Sequence, residues 1–109
     1  MKHLMVTDRD HDAEFHLRVG DELTVRLEAI PGTGYSWKIS GNDEGVLSHV
    51  GEPIFERSDG QVLGGVEQQI FCFRVTSSGV SRLELEYGRP WDKPGTAMKS
   101  FSIKVIAEE

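Results

Sequence analysis

Cysteine is nearly absent from this chain: Cys72 is the only one in 109 residues. No disulfide within the chain can staple the fold, so core packing and strand pairing must hold it. A chain of this length fits one domain and can bury an adequate core without cross-links. Long apolar runs are missing as well, since Met1-Lys2-His3-Leu4-Met5-Val6 gives way at once to Thr7-Asp8-Arg9-Asp10. That excludes a membrane-spanning helix and a visible signal peptide. As written, the chain is expected in the cytoplasm, with a periplasmic or secreted location open if it is the trimmed part of a longer one. Basic residues are outnumbered, 12 against 18 acidic, for a formal charge of -6. Such a balance argues against nucleic-acid binding and for a soluble protein attracted to basic partner surfaces. Helical periodicity is also lacking, because no stretch of about ten residues carries apolar side chains at i, i+3 and i+4.

What the sequence does have is alternation. Residues 1–13 read as a polar leader, with Thr7 to Ala13 following neither period. From residue 14 onward, a single domain over 14–109 is expected. Phe15, Leu17 and Val19 alternate with polar neighbours up to Gly20-Asp21, and Leu23, Val25 and Leu27 resume the pattern. Tyr35, Trp37 and Ile39 share one face of a further strand. Val46 to Val50 reads as a short strand or a single helical turn. Pro53 marks an edge strand, because proline cannot donate to a central ladder. Val66 to Val75 reads as one long strand with Phe71, Phe73 and Val75 on one face and Ile70 and Cys72 on the other. Two partly apolar faces predict a central strand covered on both sides, or a bulge where the patterns exchange. Leu83, Leu85 and Tyr87, then Phe101, Ile103, Val105 and Ala107, supply the last two strands. About seven or eight short strands of this kind predict an all-β, immunoglobulin-like antiparallel β-sandwich.

Three loops stand out between the strands. In Ile30-Pro31-Gly32-Thr33-Gly34-Tyr35, Pro31 fixes its own φ while Gly32 and Gly34 permit angles that a β-carbon disfavours. Thr33 is left as the polar side chain at the tip. Gly64-Gly65 lies in a long connection that begins at Ser58-Asp59-Gly60. Gly88-Arg89-Pro90-Trp91-Asp92 follows the Tyr87 strand. Each loop also has a plain structural reading. The first is a turn, the second a turn or bulge, and Trp91 a plug folded over the end of the sandwich. Tyr35 and Trp37 fit the core on their alternation alone.

Catalysis finds little support. Cys72 sits inside a strand pattern and reads as a small buried hydrophobe rather than a nucleophile. The serines lack a nucleophile elbow, and Gly64-Gly65 lacks the lysine and helix of a phosphate loop. His3, His11 and His16 with Asp8, Asp10 and Asp12 invite a metal reading, but their spacing matches no helical pair or metal loop. The expectation is a binding module, not an enzyme, without cofactor or metal.

The order of the Pro31-Gly32-Thr33-Gly34-Tyr35 loop, the Gly64-Gly65 loop and the Arg89-Pro90-Trp91 loop resembles the chagasin-type inhibitors of papain-like cysteine proteases. The resemblance covers roughly residues 14 to 107. It implies a reversible, competitive inhibitor that occludes the active-site cleft of a papain-like, cathepsin L-like protease; the free protein is expected to be a monomer. It also implies roles for the loops. Pro31, Gly32, Thr33, Gly34 and Tyr35 would enter the cleft, Gly64 and Gly65 would lie along the substrate channel, and Arg89, Pro90 and Trp91 would anchor the far edge. Two positions depart from the family pattern: Ile30 replaces the usual Asn, and Gly32 replaces a common Thr. The alternative is an adhesion or scaffold module that keeps these loops for their turns and binds a partner other than a protease.

Overall fold

A computed structural model describes residues 2–30, 34–57, 67–91, 93 and 98–109. Among the described residues, eight strands pack as two four-stranded sheets. They are β1 (His3–Thr7), β2 (Glu14–Arg18), β3 (Glu22–Ala29), β4 (Ser36–Gly41), β5 (Leu47–Arg57), β6 (Glu67–Val75), β7 (Gly79–Gly88) and β8 (Lys99–Glu108). One sheet runs β1-β3-β6-β5 and the other β2-β8-β7-β4. The alternating residues do what period two demands. Leu23, Val25 and Leu27 of β3 and Phe71, Phe73 and Val75 of β6 point inward, and so do Leu83, Leu85 and Tyr87 of β7 and Phe101, Ile103 and Val105 of β8. The immunoglobulin-like sandwich expected from the sequence is the fold observed. Its central pairings are antiparallel. Two peripheral pairs, β1 with β3 and β2 with β8, are parallel.

Three expectations are corrected. The stretch read as a polar leader contains β1, in register with β3 from His3 opposite Glu22 to Thr7 opposite Arg26. Only Leu4 and Val6 face inward, too few apolar positions to show as a pattern, yet Val6 is fully buried. Thr7 and Asp10 then form a capping box around the 3-10 turn at Asp8–Asp10, and Asp12 donates its N–H to the Ser102 carbonyl at 2.7 Å. Second, Cys72 is exposed, not buried. Strand β6 is central within its sheet, flanked by β3 and β5, but its outer face meets solvent at Cys72 while Ile70 is covered. A register shift lies in the β5–β6 ladder, between Val50 and Ile54, and another in the β4–β7 ladder, between Ile39 and Gly41. Third, β2 ends at Arg18, leaving Val19 exposed.

Pro53 sits within the register shift on β5, an edge strand that among the described residues pairs with β6 alone. A proline at this place removes no ladder hydrogen bond and blunts the edge. The open choice at Val46 to Val50 resolves into a turn through Val46 followed by β5.

Candidate functional site

The strand ends decide where the site lies. Ala29 pairs with Glu67, and Glu67 with Arg57, so β3, β5 and β6 share one end. Tyr87 of β7 reaches the same end from the other sheet, where its hydroxyl accepts the Ile30 N–H at 3.0 Å. The connections leaving β3, β5 and β7 therefore start from one end of the sandwich. Those three connections carry the three loops singled out in the sequence. Pro31, Gly32, Thr33, Gly64 and Gly65 lie outside the described residues.

Gly34, Tyr35, Arg89, Pro90 and Trp91 are brought together. Gly34 has a φ of +83°, the left-handed region that favours glycine. A β-carbon there would lie 3.9 Å from Cη2 of Trp91, so Gly34 of the first loop faces Trp91 of the third. Tyr35 is half-buried and stacks on Tyr87, with ring centroids 5.5 Å apart. The Arg89 guanidinium sits 5.2 Å from the centroid of Tyr35 and 5.3 Å from that of Trp91, bridging two aromatic faces. Trp91 is 70% exposed, which removes the plug reading. Pro90 is exposed in the turn beside it. The result is a layered stack: Tyr87 in the core, Tyr35 above it, Arg89 across both loops, and Trp91 presented to solvent.

A second layer holds this stack in place. Gln69 of β6 is 4% exposed and points inward, in phase with Phe71 and Phe73. Its side-chain amide accepts the Trp37 N–H and donates to the Trp37 carbonyl, both at 2.8 Å. Trp37 in turn donates from Nε1 to the Glu28 carbonyl at 2.9 Å. Strand β4, an edge strand that pairs with β7, is thereby tied to the opposite sheet two residues after Tyr35. Sequence reading passed over Gln69. The available signal was a polar residue at a core position of the β6 alternation.

Two of the histidines make structure-building contacts. His3 hydrogen-bonds Thr24 through Nε2, and His11 accepts the Ser102 N–H at Nδ1. Among the described residues no group of three or more His, Cys, Asp or Glu side chains converges as a metal site would require. Among the described residues, the one distinct charge effect lies far from the loops. Backbone N–H groups of Arg18 and Lys2 hold the Asp21 carboxyl below the usual aspartate range.

Known proteins resemble this chain in sequence and in fold. Residues 16–105 match the model of the family described as Chagasin family peptidase inhibitor I42. Amoebiasin-2 of Entamoeba histolytica is 27% identical over 105 residues, covering 95% of this chain and 84% of that protein. Chagasin of Trypanosoma cruzi is 26% identical over 108 residues, covering 94% and 96%. Among solved structures, a crystal structure of a cysteine protease inhibitor from Entamoeba histolytica superposes with a TM-score of 0.86 at 22% identity, covering 99% of this chain and 97% of that one. The structure of PbICP-C in complex with falcipain-2 superposes at 0.67 with 21% identity, covering 99% and 100%. With a family match that spans most of its length, this chain belongs to the chagasin family of peptidase inhibitors.

Proposed function

We propose that this protein inhibits papain-like cysteine proteases reversibly and competitively, inserting the loop end of its sandwich into the active-site cleft. The observation that carries the reading is the stack of Tyr35, Arg89 and Trp91, in which a large aromatic side chain stays exposed on a stiff support. Tryptophan and arginine are the side chains most often found as hot spots, and preorganisation lowers the entropy cost of binding. In this reading Trp91 anchors at the cleft edge with Pro90 and Arg89 behind it. Thr33, Gly34 and the neighbouring Pro31, Gly32 and Tyr35 occupy the centre, while Gly64 and Gly65 run along the channel. A backbone held across the cleft without a correctly placed scissile bond blocks substrate and survives the encounter.

The match of residues 16–105 to a peptidase-inhibitor family speaks against the adhesion or scaffold alternative. Titration into papain and a cathepsin L-like enzyme, with a fluorogenic substrate, tests the proposal. Inhibition that weakens as substrate concentration rises is expected. Full protease activity at a large molar excess of the protein would refute it.

A further inference from the structure

The Tyr35–Tyr87 stack is also one wall of a cleft of about 230 Å³ between the ends of β3 and β8. Ala29, Ile30 and Met98 complete its apolar lining, and Glu28 and Lys99 supply one charge of each sign at the rim. Two of the lining residues are apolar and open to solvent, Ile30 at 38% and Met98 at 61%. Both are held by the same tyrosine. Ile30 donates its N–H to the Tyr87 hydroxyl, and Met98 donates its N–H to the Tyr87 carbonyl at 2.9 Å. An exposed apolar pair whose backbone is already fixed on either side of a cleft loses little main-chain freedom when covered.

We infer that this cleft is a receptacle for an apolar side chain on the wall of the target protease, and that Ile30 and Met98 tune which proteases are bound. The inference rests on the inhibitory reading above and extends it beyond the three loops. Continuity decides the occupant. Tyr35 belongs both to the cleft and to the stack that presents Trp91, so a protease seated on the loops covers the cleft mouth as well. The opposed rim charges select neither a cationic nor an anionic group, which leaves the apolar lining to set the preference. Contact at the cleft is thus reciprocal to that at the loops: here the inhibitor receives a side chain instead of offering one.

The methionines provide a direct readout. With 13C-methyl methionine in the full chain, saturation with papain should shift or broaden the Met98 methyl signal. Met5, on the outer face of the β1-β3-β6-β5 sheet, should stay in place and serves as an internal control. The Ile30→Ser/Met98→Ser double variant should raise the inhibition constant about tenfold or more at an unchanged melting temperature. A saturated complex with an unmoved Met98 signal, or a double variant within about twofold of the parent, overturns this inference alone. If papain forms no complex with the parent protein, the inhibitory reading falls and the inference falls with it.

Discussion

Gly34 turns with a φ of +83° directly before Tyr35, and a β-branched side chain there would cost more than about 1 kcal/mol in backbone energy. An added β-carbon meets Trp91 at an ordinary contact distance of 3.9 Å, so the strain is conformational and not a clash. Relief of that strain moves the loop tip. Thr33→Ala removes only a hydroxyl and a methyl group, and an obstruction made by the main chain survives it. Gly34→Val should therefore raise the inhibition constant against papain more than Thr33→Ala does. The reverse order would show that the Thr33 side chain itself engages the catalytic centre. A different single residue, Asp21, contributes to the acid sensitivity of the fold. Asp21 accepts N–H groups from Arg18 at 2.8 Å and Lys2 at 2.9 Å, which joins the β2–β3 turn to the start of β1. Its folded pKa is depressed, so its contribution is complete above the ordinary aspartate pKa and is lost as pH falls through the lower folded value. Urea midpoints should fall as pH drops below about 4, and Asp21→Asn should flatten that fall while lowering the midpoint at neutral pH. An unchanged acid slope in the variant would assign the effect to other carboxylates.

Strand β4 illustrates how an element is placed by a contact outside its own ladder. Its outer edge has no neighbouring strand among the described residues, and the Gln69 amide stands in for one by satisfying both peptide groups of buried Trp37. Gln69→Leu keeps the volume but orphans a buried N–H and a buried carbonyl, a loss of about 2–4 kcal/mol. Because β4 carries Tyr35 and Gly34 at its entrance, inhibition should weaken along with stability. A variant that loses less than about 1 kcal/mol in urea unfolding would mean water replaces the amide. The strands themselves were readable, since Leu23 to Leu27, Leu83 to Tyr87 and Phe101 to Ala107 alternate cleanly and each buries one face. Strand β1 was hidden because two inward side chains, Leu4 and Val6, make no period, and its parallel partner β3 lies across a turn and β2. The outward Cys72 was misread because it stands beside Ile70, which is covered although it too points outward. From the sequence the loops could be named, yet not the Tyr35–Arg89–Trp91 stack. Such a stack depends on which strand ends coincide, and that is a property of the register.

Over the whole molecule, stability and function occupy different places. The fully buried side chains, such as Phe71, Phe73, Leu83 and Ile103, fill the space between the sheets, and none of the described residues assigned to protease contact is among them. A sandwich of this kind can change its loop end with little effect on its core. The most direct test of that separation is Trp91→Ala, with its papain inhibition constant and its melting temperature measured on one preparation. Loss of an exposed anchor should weaken inhibition by about 2 kcal/mol, roughly thirtyfold, while Tm moves by less than about 2 °C. A variant that unfolds earlier but inhibits as strongly as the parent would contradict the account.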